Sequence, residues 1–171
     1  MIAAPPTSDE AHRLKRLLGL GVLDSSRDAA LDALAQRALL LFPGADSAAI
    51  SFVGRDRVTF KACAGRIWQR VRREHSFCNH VIGGAGLMVV EDTWRDARFE
   101  ANALVVGDPG IRFYAGAALL DGVGALCIIG LHPRLVTRTE TLALQVLART
   151  VDQRLSLHRA VHELTRQIPL G

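Results

Sequence analysis

The chain predicts an α+β fold: an antiparallel sheet with helices from both termini on one face and irregular connections, enclosing a pocket, on the other. Three observations carry that expectation. Two pairs of strand-like runs are each joined by a short polar turn, apolar residues recur at helical spacing near both ends, and a central segment, 93–110, fits neither period. With 171 residues, 49% of them hydrophobic, there is material for one globular core. The boundaries read from this are a flexible tail over 1–7 and a single domain over 8–171, with a long C-terminal helix over 139–167.

Taken in order, Pro5-Pro6 bars an early helix, and Ser8 or Asp9 caps one that runs through Leu14, Leu17 and Leu18 to Gly19. Ser25-Ser26 is the expected cap of a second helix. Its Leu31, Leu34, Ala35, Ala38, Leu39 and Phe42 keep i, i+3, i+4 spacing until Pro43-Gly44. Ser47 to Val53 and Val58 to Ala64 form a hairpin about residues 54–57, with Val58, Phe60, Ala62 and Ala64 on one face. The basic stretch 65–74 leaves the sheet. Ser76 caps a short helix that stops at Gly83-Gly84. Leu87 to Val90 is a buried strand ending at Glu91-Asp92, and 112–119 pairs antiparallel with 125–131.

Thr137 or Thr139 opens the last helix, where Glu140 suits the positive end of the dipole. At about 42 Å it would overhang so small a domain. Of its stripe Leu144, Leu147, Val151, Leu155, His158, Val161 and Thr165, the first turns can pack on the sheet, while the last turns point to a partner helix and to a homodimer through the terminal helices.

Composition excludes several classes of function. There is no run of eighteen apolar residues for a membrane span, and the first residues lack the order of a secretory signal, so the expected location is the cytoplasm. Cys63, Cys78 and Cys127 are odd in number and widely spaced, which fits neither a disulfide framework nor a zinc site. No cofactor is expected. The net charge of +4 includes a basic cluster, Arg66, Arg70, Arg72 and Arg73, around Trp68. Elsewhere positive charge alternates with Asp and Glu and no nucleic-acid reader motif is present, so the cluster reads as a solvated loop.

The candidate chemistry lies between Ser76 and Leu120. Cys78 at a helix start, near His80, has the setting of an acidified thiol. The two side chains are i and i+2 and point apart, which argues against a catalytic pair and leaves a redox sensor or a packed side chain. Glu91, Asp92, Asp96 and Asp108 alternate with Arg95, Arg98 and Arg112. They either line a polar ligand site or form a salt-bridge network in which Arg98 or Arg112 satisfies Asp92 or Asp96. Strand alternation sends Phe113 and Tyr114 to opposite faces, Tyr114 toward the ligand. The ligand-facing set is thus Phe77, Cys78, His80, Glu91, Asp92, Asp96, Arg112 and Tyr114.

Set out together, RLLGLGVLDS at 16–25, AISFVGRDRVTFKACAG at 49–65, SFCNHVI at 76–82, VVEDTWRDARFEAN at 89–102, LVVGDPGIRFYAGAAL at 104–119 and GALCIIGLHPR at 124–134 resemble the GAF domain family. The likeness is to its bacterial subgroup found with histidine kinases and diguanylate cyclases. It implies a six-stranded antiparallel sheet and a non-enzymatic small-molecule sensor that relays ligand state through the terminal helices of a dimer to an output kinase or cyclase. A dimerisation scaffold with a vestigial pocket is the alternative. Ala103 stands where the subgroup commonly has proline. The cysteine-histidine attachment of photosensory members and the cysteine arrangement of free methionine sulfoxide reductases are both absent.

Overall fold

The computed structural model describes every residue except 1, 3, 5, 6, 8, 67–69 and 168–171, and at 166 and 167 the backbone alone. Trp68 and most of the expected tail over 1–7 lie outside the described residues. Six strands, β1 (Ser47–Val53), β2 (Arg57–Gly65), β3 (Val71–Arg72), β4 (Leu87–Val90), β5 (Phe113–Ala118) and β6 (Gly124–Gly130), form one sheet in the order β3-β2-β1-β6-β5-β4. Every pairing is antiparallel. The two-residue β3 lies inside the stretch read as leaving the sheet. It is too short to show a period and is seen only through its pairing with Arg57 and Val58.

Because successive side chains alternate across a strand, the sheet divides the core into two layers. On one side Ile50, Phe52, Phe113, Ala115, Leu126 and Ile128 pack against α1 (Glu10–Gly19), α2 (Ala29–Leu40) and α5 (Arg138–Gln167). On the other, Ala49, Tyr114, Ala125, Cys127 and Ile129 face α3 (Phe77–Gly83) and the segment carrying α4 (Ala103–Val106). Phe113 and Tyr114 do separate to opposite faces. The four-residue face expected on β2 does not exist: Val58 and Phe60 belong to the α3 side, Ala62 and Ala64 to the other. A β-bulge is the reason. Ser51 pairs with Phe60 while Ile50 pairs with Ala62, so Lys61 is an extra residue that reverses the alternation.

The caps follow local chemistry. Asp9 accepts from the His12 amide at α1. At α2 the cap is Asp28, which accepts from Ala30 and Leu31, and not the expected Ser25-Ser26. The Ser25 hydroxyl is engaged elsewhere, donating to Val22 O and accepting from Lys61. At α5, Thr137 Oγ1 accepts from the Glu140 amide at 3.2 Å while Glu140 Oε2 accepts from the Thr137 amide at 2.8 Å, a reciprocal capping box.

The 30-residue α5 extends about 45 Å. Leu144, Ala148, Val151 and Leu155 are buried in the core, so the first turns of the stripe pack on the domain itself, as expected. The overhang is shorter than expected. Arg154 pairs with Asp28 at 2.9 Å, and His162 packs on Gly21, where a Cβ would stand 2.9 Å from its Nε2. The stripe left outward is Leu142, Val146, Leu157, Val161 and Leu164.

Candidate functional site

Ser76 leaves extended backbone to cap α3, its Oγ accepting from the Cys78 amide at 3.1 Å. This seats Phe77, Cys78, His80 and Val81 on the sheet. Phe77 stacks between two other rings, with centroids 4.2 Å from Phe99 and 4.9 Å from Tyr114. His80 meets the edge of Phe99 at 4.7 Å. Burial, and after it the charge of Arg98, lowers the His80 pKa against the pull of Asp96, so the ring is neutral near pH 7.

Within this apolar layer lies a polar centre. Ser51 Oγ and Tyr114 Oη both donate toward Cys78 Sγ, at 3.2 and 3.4 Å, and both hydroxyl-bearing residues are buried. The Tyr114 ring reaches this point by lying across Gly116, the residue paired with Cys127 on β6. Cys127 Sγ in turn is 3.4 Å from Ala49 O. Cys78 is the more acidic thiol of the coupled pair, brought down to about 6 by hydrogen bonding with Cys127, with Ser51, Tyr114 and Ser76 adding to it against the cost of burial. Cys127, whose own thiol donates to Ala49 O, is raised by the neighbouring Cys78 and by burial, and Tyr114 is raised chiefly by burial. The space left between these side chains is small: about 20 Å³, bordered by Phe60, Val71, Ser76, Leu104 and Ile111. That holds about one water molecule.

The eight residues expected to face a ligand therefore fall into two groups. Phe77, Cys78, His80 and Tyr114 converge beneath α3. Glu91, Asp92 and Asp96 line a separate open groove of about 900 Å³ beside β4 and residues 133–136. Arg112 is held by Asp92 at 2.9 Å and lies 3.8 Å over the Trp94 ring. Asp96 binds Arg98 through both carboxylate oxygens, at 2.9 and 2.6 Å. Arginine hydrogen bonding is the leading cause lowering the pKa of both carboxyls. Glu91 accepts from the Val136 amide. These are the ties of an ordered connection. Thr93 Oγ1 on Ile111 O and Asn102 Nδ2 on His75 O complete them from buried positions.

Three participants escaped the sequence reading. Ser51 was legible as the polar residue in the apolar run SAAISFV, and Phe99 only through its stacking. The third is a charge cluster bridging elements. Buried Arg13 donates to Val53 O at 2.6 Å and to both Glu10 oxygens. Glu10 also pairs with Arg73, whose Nε donates to Asn79 Oδ1 on α3 at 2.8 Å. Arg13, followed by Arg73 and Thr7, holds the Glu10 carboxyl far below the usual range. Among the described residues no group of His, Cys, Asp and Glu has the makings of a metal site, and no helix is long and apolar enough to cross a membrane.

Comparison with known proteins agrees with this architecture. The sequence model of the GAF domain matches residues 26–155. A cyclic di-GMP phosphodiesterase of Pseudomonas aeruginosa is 32% identical over 167 residues, 94% of this chain but 28% of that protein, so the chain spans under a third of the relative's length. The GAF domain of an Acinetobacter phosphoenolpyruvate-protein phosphotransferase superposes with a TM-score of 0.63 at 15% identity, covering 91% of this chain and 98% of that one. A free methionine-R-sulfoxide reductase of Neisseria meningitidis, in complex with its substrate, gives 0.61 at 20% identity, covering 94% and 99%. At such identities these two likenesses concern the fold.

Proposed function

This chain belongs to the GAF domain family, and we propose that it is a non-enzymatic regulatory domain of bacterial signalling that responds to a small molecule beneath α3. The observation that carries the proposal is the buried polar centre, Cys78 with the Ser51 and Tyr114 hydroxyls, set in an otherwise apolar aromatic layer. Polar groups placed at the heart of an apolar enclosure are the usual means of orienting a small ligand. Ser51 shares its one proton between this thiol and Ala125 O, 3.1 Å away, while the Tyr114 hydroxyl is turned on the thiol. Phe77, Cys78, His80 and Tyr114 are the ligand-facing residues in this reading. His80, neutral and turned on Phe99, is not arranged as a base for Cys78, which favours binding over catalysis.

With about 20 Å³ free, the described conformation is the closed one. A ligand enters by displacing Phe77 or lifting α3, and its effect comes from preferring that open state. The test is thermal unfolding of the purified protein against nucleotides, amino acids and aromatic metabolites, with native mass spectrometry for a molecule that co-purifies. A binder of the folded state raises the apparent melting temperature, and Tyr114→Phe or Cys78→Ala should shrink that rise.

The small free volume also favours a second reading, a dimerisation scaffold whose pocket is filled by its own aromatics. Here the outward stripe of α5 is the functional surface. A dimer in solution that no member of the panel stabilises would select the scaffold. The signalling context of either reading draws support from the phosphodiesterase relative and from the phosphotransferase GAF domain.

A further inference from the structure

We propose that the β3 edge of the sheet, which adjoins the aromatic site at Val71, binds a small soluble anion bearing phosphate groups. At the β3 end an open groove of about 750 Å³ is lined by Arg55, Arg57, Arg70, Arg72 and Arg73, with Asp56 and Glu74. The arginines come from two places in the chain. Arg55 and Arg57 lie at the β1–β2 turn, and the other three lie in and beside β3. The turn and β3 are stitched together by the Arg73 amide on Asp56 O at 2.9 Å.

Two features make this more than a solvated basic loop. The first is register. Arg57 stands directly across from Arg72 in the β2–β3 ladder, and like charges directly opposite destabilise a strand pair. The second is the distribution of counter-charge. Glu74 is engaged with Arg72, and Glu10 with Arg13 and Arg73, while among the described residues no carboxylate pairs with Arg55, Arg57 or Arg70. Positive charge protecting an exposed sheet edge needs only to point outward. Here it converges on one concavity, in a volume within the range of small-ligand sites. Planar guanidiniums in such an arrangement suit phosphate oxygens, which they engage two at a time. A phosphate oxygen among Arg55, Arg57, Arg70 and Arg72 would relieve the repulsion that the register imposes.

The experiment is calorimetric titration of the full chain with inorganic pyrophosphate at low ionic strength, repeated at physiological salt. Binding that weakens with salt is expected. Arg57→Thr with Arg72→Thr, which keeps β-compatible residues on both strands, should reduce affinity about tenfold or more. Arg37→Ala with Arg149→Ala, which removes the same charge at exposed helix positions elsewhere, should leave it unchanged. The Arg57→Thr, Arg72→Thr variant should also melt higher at low salt than the wild type, a readout that does not depend on finding the natural ligand. Equal loss in both double variants, or no pyrophosphate binding by the wild type, overturns the proposal. So does binding confined to a single-stranded oligonucleotide or to vesicles containing a phosphoinositide, either of which would make the edge a macromolecular surface. The site beneath α3 is tested separately by Tyr114→Phe and Cys78→Ala, which change no residue of this groove.

Discussion

Gly116 shows how one missing side chain makes the aromatic site possible. A Cβ there would lie 2.5 Å from Tyr114 Oη and 2.8 Å from its Cε1, so the ring occupies space that only glycine leaves. Gly116→Ala should push the ring off Cys78 and cost about 1–3 kcal/mol, read from denaturant midpoints at constant m. Tyr114→Phe keeps the ring and removes one donor to the thiol. The Cys78 pKa, near 6 in the native protein, should then rise, measurable as the pH dependence of thiolate ultraviolet absorbance in a Cys63→Ser background. Glu10 gives a second pH signature. Its carboxyl is depressed below the ordinary 4.5 by Arg13 and then Arg73. A depressed acid contributes stability that is complete above the unfolded-state value and lost as pH falls toward the folded-state one. Wild-type stability should therefore decline as pH drops below about 4.5, and Glu10→Gln should flatten the curve in that window. A slope unchanged by the substitution would remove Glu10 from the account.

Among the elements, α5 has two opposed apolar stripes. Leu144, Ala148, Val151 and Leu155 hold it to the sheet, while Leu142, Val146, Leu157, Val161 and Leu164 face outward at spacings of three and four residues or their sums. Replacing Leu157, Val161 and Leu164 by Lys should alter folding stability little, since exposed substitutions usually stay within about 0.5 kcal/mol each. The same change should convert a dimer to a monomer in sedimentation or light scattering. A dimer that persists would move the interface elsewhere. The sequence located this helix, because a long run at one period is a local signal, but left its cap between Thr137 and Thr139, which the reciprocal Thr137–Glu140 bonds decide. It could not say that a second apolar stripe faces outward, since which stripe the core takes depends on how α5 seats on the sheet and α2. The β2 faces were misread for a similar reason: nothing within VTFKACA marks Lys61 as the bulged residue, because the bulge is a property of its pairing with β1. The candidate site was half legible. Tyr114 and Phe77 followed from alternation and capping, whereas the separation of Glu91, Asp92, Asp96 and Arg112 into ties depends on where the chain between β4 and β5 folds.

At the scale of the molecule, the family match over 26–155 leaves out α1, yet α1 is joined to the shared core. Leu17 and Val22 are buried within it, and Arg13 reaches β1. A fragment limited to 26–155 should therefore fold with a clearly lower urea midpoint than the full chain, because burying each such aliphatic side chain contributes about 1.5–3 kcal/mol. An equal midpoint would make α1 an appendage.

The Glu10–Arg73–Asn79 bridge has a kinetic corollary. It fastens α1, at one end of the chain, to the short helix that roofs the aromatic site, although neither is long enough to be stable alone. Their amides should exchange with deuterium as one opening unit, slower than frayed segments and faster than the central strands β1 and β6. Arg73→Ala should split that unit, leaving α1 and the roof to breathe independently.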